Sequence, residues 1–158
     1  MAYRESFTQR PQRRERPGQL RLPEGYLRQG YFDKDGNVLP ELIQDWAYEL
    51  AGQLIRGEHE SKLTSTQLRR FFNKARYIER KLKSQPFEEL KSEIYSLRPL
   101  AAYAVGRKTA PPLFKQFIDL NTGQATKSEK DFTEGFLVHF QSIVGYAKYI
   151  EEITKGRR

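Results

Sequence analysis

Seven cations, Arg69, Arg70, Lys74, Arg76, Arg80, Lys81 and Lys83, fall within fifteen consecutive positions that contain one acid, Glu79. Side chains this long and this dense are suited to one kind of chemistry, the neutralisation of a polyanion. At 100° per residue the apolar stripe of this segment is Leu68, Phe71, Phe72, Ala75, Ile78 and Leu82. Arg69, Asn73, Arg76, Arg80 and Lys83 flank it on one side and Arg70, Lys74, Tyr77 and Lys81 on the other. The first row extends about 21 Å at 1.5 Å per residue, long enough to meet successive phosphates of one strand. Like charges four residues apart cost an isolated helix a few tenths of a kcal/mol per pair, so a nucleic-acid strand is favoured over a merely solvated face.

Arg98, Arg107 and Lys108 extend the basic region around Tyr103. Tyr77, Tyr95 and Tyr103 carry rings able to stack on bases, although a lone tyrosine at a helix edge is also an ordinary half-buried residue, and none of them is assigned a base. The Arg-rich N-terminal stretch has three open roles: phosphate contact, docking on an acidic protein surface, or solubility.

Other chemistry finds little to work with. The chain has no Cys, which removes disulfides, thiolate zinc sites and cysteine nucleophiles together, and its two His, His59 and His139, are too far apart for ligand-like spacing. The Asp33–Gln44 stretch superficially matches a calcium loop, but the glycine comes too early and Gln44 stands where the bidentate Glu belongs. No cofactor and no metal is expected. There is no nucleophile elbow and no Gly-rich phosphate loop, and the acid pairs Glu88-Glu89 and Glu151-Glu152 point about 100° apart on a helix. An enzyme would have to use His59 or His139, and His139 adjoins an apolar helix face where a satisfied core imidazole is the commoner outcome.

The elements that must position these groups read as helices. Helix one begins at Pro40 and ends at Gly57, with Ile43, Trp46, Ala47, Leu50 and Leu54 on one side. Helix two has the clearest start: Thr64 and Gln67 form a capping box, Leu63 and Leu68 fit the hydrophobic staple, and it runs to about Ser84. Pro86 opens helix three through Phe87, Leu90, Ile94 and Leu97, with Pro99 kinking or ending it before Leu100–Val105. A short fourth helix follows Pro112 until Asn121-Thr122-Gly123 breaks it. Ser128 and Asp131 cap the last helix, whose stripe is Phe132, Phe136, Phe140, Ile143, Val144 and Ala147. Nothing alternates at period two, so the fold class is all-α: a compact bundle of about five helices with a basic, Arg-rich N-terminal tail. The aromatic stripes recur at the burial period and read as core.

A chain of 158 residues fits one ordinary domain. Residues 1–23 read as a flexible basic tail, 24–154 as the single helical bundle and 155–158 as a basic C-terminal tail. The net charge of +8 is unevenly spread: +4 over residues 1–23, −5 over 24–61, +8 over 62–108, −2 over 109–154 and +3 over 155–158. A basic middle between acidic segments suits a directed anion-binding face, with acidic faces left for basic neighbours. No run of 18 apolar residues occurs and the start lacks a secretory pattern, so the expectation is a cytoplasmic protein with no membrane partner.

Four stretches carry a family resemblance. They are Gly30-Tyr31-Phe32 with its Asp-Gly-Asn turn, Leu63-Thr64-Ser65-Thr66-Gln67-Leu68-Arg69 running into Phe71-Phe72, Leu97-Arg98-Pro99-Leu100-Ala101-Ala102-Tyr103-Ala104-Val105-Gly106-Arg107, and Phe132 to Tyr149. Together they resemble the small, Csm-type subunit of type III-A CRISPR effector complexes and their close III-D relatives, the Arg-rich tail lying outside the pattern. The resemblance implies a non-catalytic five-helix bundle acting in antiviral defence. It would be present in several copies as a filament along the backbone subunits that carry the guide RNA, beside large subunits that cut and synthesise the second messenger. Its basic side chains would hold phosphates of the target RNA or the guide–target duplex. Arg69, Arg98 and Arg107 carry over by position. Arg70, Lys74, Arg76, Arg80 and Lys81 are added on the helical-face argument. The alternative is a helical adaptor whose basic face docks an acidic protein surface without nucleic acid.

Overall fold

The computed structural model describes residues 19–57 and 61–156. His59, most of the N-terminal tail and the last two arginines lie outside the described residues. The helices are α1 Pro40–Ile43, α2 Asp45–Arg56, α3 Ser65–Lys81, α4 Phe87–Tyr95, α5 Leu97–Gly106 and α6 Pro112–Ala125. A π-helical turn, Asp131–Phe136, then leads into α7, Leu137–Lys155. With α1–α2 and α4–α5 each counted as one broken rod, this is the expected all-α bundle of five; among the described residues, pairing of extended backbone is confined to isolated bridges, one of them between Phe32 and Val38.

The long α7 is the axle: α2, α3 and α1 all pack on it, while α6 joins α5 and the π-turn. Phe114, Phe117, Phe132, Phe136 and Phe140 are fully buried. Phe117 and Phe140 meet edge to face at 5.4 Å, and Phe136 meets Phe140 at 5.6 Å, the geometry that aligns ring edges with π faces. The aromatic stripe is core, as its period indicates.

Where the helices begin and end differs from the sequence reading at four places, two for tertiary and two for local reasons. The rod from Pro40 breaks at Gln44, because the Leu42 carbonyl in its first turn accepts a hydrogen bond from His139 Nδ1 at 2.6 Å instead of serving the helix. The α4–α5 break falls at Ser96, not at Pro99. Pro99 lacks the N–H that Tyr95 would need and its ring crowds that carbonyl, so the chain turns one step after Tyr95 and Pro99 sits in the first turn of α5. Helix α3 ends at Lys81 and closes through Ser84 and Gln85 N–H bonds to the Lys81 carbonyl. Most notably, Asn121-Thr122-Gly123 does not break α6, which continues to Ala125. Thr122 bonds back to the Ile118 carbonyl at 2.7 Å, and Asn121 faces the core.

Asn121 is the centre of a buried polar line. Its Nδ2 donates to the Phe117 carbonyl and to Tyr26 Oη at 2.9 and 2.8 Å, and its Oδ1 accepts from Tyr31 Oη at 2.8 Å. Tyr26 Oη in turn lies 2.6 Å from His139 Nε2. Since the Leu42 carbonyl can only accept, Nδ1 carries the imidazole proton and Tyr26 donates to Nε2. Burial pushes the His139 pKa down to about 4, so the ring is neutral. Burial likewise raises the Tyr26 and Tyr31 hydroxyls. The line ties residues 26–31 to α6 and α7. Gly135 completes this joint, because a Cβ there would stand 2.3 Å from the Tyr31 ring. The packed segment reaches further back: Leu20 and Leu22, within the stretch assigned to the tail, lie against the core, and the Arg21 backbone exchanges two 2.8 Å hydrogen bonds with the Gln53 side chain.

Candidate nucleic-acid interface

Helix α3 is fastened before it presents anything. Gln67 N–H donates to Thr64 Oγ1 at 3.1 Å and Thr64 N–H to Gln67 Oε1 at 3.0 Å, the reciprocal capping box expected from the sequence. Glu151 of α7 adds a cap in trans, accepting from Ser65 N–H and Ser65 Oγ at 2.9 Å each. The Ser65 N–H holds this carboxyl below its ordinary range. Leu68, Ala75 and Ile78 are buried, Phe71 meets Phe114 at 4.7 Å and Phe72 meets Phe140 at 5.5 Å. The apolar stripe is thus consumed, and both basic rows are left on the outside.

Their environments differ. Arg69, Arg70, Arg80 and Lys83 are exposed and form no ion pair within the described residues. Lys74 is exposed with its ammonium 5.6 Å from the Phe71 ring centre. Arg76 is paired with Glu79 at 2.9 Å on the surface, where such a pair contributes little. Lys81 is half-buried and bound by both oxygens of Glu93, at 2.8 and 2.9 Å, which raises its pKa. Glu93 is an acid of α4, distant in sequence from the stripe, so the charge count along α3 alone omits it.

Arg98 and Arg107 do not join the α3 rows. Arg98 Nε donates to Thr122 Oγ1 at 2.7 Å and Nη2 to the Asp119 carbonyl at 3.0 Å, with the guanidinium 4.8 Å from the Tyr95 ring centre. It is a clasp between α5 and α6. Arg107, exposed at the end of α5, donates to Tyr103 Oη at 3.3 Å and covers that ring at 5.5 Å. Conversely, Lys148 of α7 shares a hollow of about 130 Å³ with Ser65, Thr66 and Arg69, carrying the basic surface past the end of α3. Its spacing to Glu152, with which it pairs at 2.7 Å, marks an ordinary helical ion pair and gives no sign of that neighbourhood. A second hollow, about 540 Å³, lies between α3 and the α4–α5 rod, with Arg70, Lys74 and Tyr77 on one side and Leu97 and Leu100 on the other.

A basic helix anchored on an aromatic bundle, with the capping box and the Leu97–Arg107 segment both intact, has a counterpart among known families: the Csm2 Type III-A family model matches residues 40–152, from α1 through most of α7. The chain belongs to this family. As a Csm2 Type III-A chain it is a small subunit of a type III-A CRISPR effector complex. The match takes in α3, α5 and every cation of the candidate interface, and leaves out the Gly30-Tyr31-Phe32 turn that also carries the resemblance. Comparison with curated proteins and with solved structures yields no match. Among the described residues no helix is long and apolar enough to cross a membrane, and no cluster of three metal-ligating side chains occurs.

Proposed function

We propose that this Csm2-family subunit is a non-catalytic strut that binds the phosphates of target RNA, or of the guide–target duplex, through the outward rows of α3. It would act in several copies along the backbone subunits of a cytoplasmic antiviral ribonucleoprotein. The observation that carries the reading is that Arg69, Arg70 and Arg80 stand exposed on a rigidly anchored helix with no acidic partner among the described residues. Most other cations with a described contact are engaged by carboxylates or carbonyls of the bundle. Repetition makes individually weak contacts useful, and sequence reading is left to the guide. Asp45 and Glu49, exposed and likewise without ion pairs among the described residues, suit contacts to basic backbone subunits, and Glu41 beside them is half-buried with Oε2 enclosed.

Each cation that neutralises a phosphate of a single strand contributes roughly −0.7 to the slope of log K against log salt. Replacing Arg69, Arg76 and Arg80 together by Ala is expected to flatten that slope by about 2 for single-stranded RNA. An unchanged slope places the RNA elsewhere on the molecule.

A further inference from the structure

The two rows of α3 border different ground. In the first row Arg80 is exposed, Arg69 borders the small hollow shared with Lys148 and only Asn73 reaches the 540 Å³ groove, whereas Arg70, Lys74 and Tyr77 of the second row line that groove together with Ile78, Leu97 and Leu100. Its size falls in the range of small-ligand sites, and its lining is mainly apolar beneath a cationic rim. Tyr77 is 58% exposed and Leu100 37%, so the groove holds apolar surface that the bundle leaves uncovered.

The Tyr77 ring in it carries a cation near one face. Lys81 Nζ sits 5.1 Å from the Tyr77 ring centre and is itself held by both Glu93 oxygens. Lys81 is not part of the groove wall, so the ammonium braces the ring from outside and leaves the rest of the ring to the groove. The other two candidate tyrosines are differently placed. Tyr95 carries Arg98 over its ring and accepts a hydrogen bond from Thr126 Oγ1 at 3.0 Å, and Tyr103 carries Arg107. Glu93, the one acid of the groove wall, is already neutralised by Lys81 and presents no free charge to an anion.

We propose that this groove receives an unpaired nucleobase of the RNA strand, stacked on Tyr77, while Arg70 and Lys74 hold the flanking phosphates. A flat π face joined to a negative backbone matches an apolar floor with an aromatic wall and a basic rim; a paired base, buried in its own stack, offers no face. The inference rests on the phosphate-binding reading of α3 and adds to it a preference for unpaired over duplex RNA.

The test compares the purified chain binding three probes of equal length: a single-stranded RNA, an abasic ribose-phosphate strand and an RNA duplex. The base-bearing single strand is expected to bind roughly tenfold tighter than the abasic one, the range for one base stacked on one ring. Tyr77→Ala removes that difference and leaves the abasic strand and the salt slope unchanged. Tyr77→Phe, which retains the ring, preserves it. Equal affinity of wild type for base-bearing and abasic strands overturns the stacking inference while leaving phosphate binding intact. Failure to bind either strand in a salt-dependent way sinks both. Displacement of the RNA by an acidic peptide that loses affinity on Tyr77→Ala assigns the groove to a protein partner instead.

Discussion

Tyr26, Tyr31, Asn121 and His139 leave no polar side-chain atom without a partner, and each of their bonds is short and fully buried. On the outer face of α3, the guanidinium donors of Arg69, Arg70 and Arg80, about fifteen at five N–H each, meet no described acceptor. The contrast teaches what each region is for. A buried donor without an acceptor costs about 1–3 kcal/mol, so the core line exists in closed form or not at all, and its work is to hold residues 26–31 on the bundle. An exposed guanidinium costs nothing while water serves it, and it stays available to a phosphate.

The comparison breaks most visibly at Asn121. Asn121→Leu keeps the volume but withdraws the donors to Tyr26 and Phe117 and the acceptor for Tyr31, and it is expected to cost about 3–4 kcal/mol of stability in urea unfolding. A loss below about 1 kcal/mol would mean that the line does not anchor the N-terminal segment.

His139 sharpens the same point through pH. The folded ring is neutral with a pKa near 4 while the unfolded ring takes a proton near 6.5, so the unfolded state binds more protons between these values. Stability therefore falls as the pH drops through that window, by about 3 kcal/mol in all at 1.36 kcal/mol per unit. Urea midpoints measured from pH 7 to pH 4 follow this decline, and His139→Asn, which has no titrating ring, flattens the decline above the range where carboxylates protonate. An equal decline in that variant would assign the pH dependence to other groups.

This divided use of polar residues also explains what was legible in the sequence. The start of α3 was fully readable, because Thr64 and Gln67 act on backbone three residues away and need no knowledge of the fold. The Phe stripe that runs from the π-turn into α7 was readable because burial imposes its own period. Asn121-Thr122-Gly123 was not: as local letters they are helix breakers, and only the approach of Tyr26 and Tyr31 from 90 and more positions away turns Asn121 into a core residue. The break at Gln44 has the same kind of origin, in Leu42 against His139, and the π-turn at Asp131–Phe136 places Gly135 against Tyr31, a contact comparably distant in sequence. At the interface, the two rows of α3 follow from helical geometry. The bond between Lys81 and Glu93, the clasp made by Arg98 and the place of Lys148 depend on which helices become neighbours, and residue type alone carries no record of that.

Arg98 is where the two regimes meet, since the family resemblance groups it with the phosphate-facing cations and the structure gives it buried-type partners. Its guanidinium serves the Thr122 hydroxyl and the Asp119 carbonyl within a half-buried site. Arg98→Ala is therefore expected to cost about 1.5–3 kcal/mol in unfolding, the range for hydrogen bonds to a charged group, and to leave the salt slope of RNA binding unchanged. The Arg69, Arg76 and Arg80 triple variant gives the opposite pattern, a flatter slope with stability altered by less than about 0.5 kcal/mol per site. Should Arg98→Ala instead flatten the slope with no loss of stability, the clasp opens on binding, and the basic face extends from α3 onto α5.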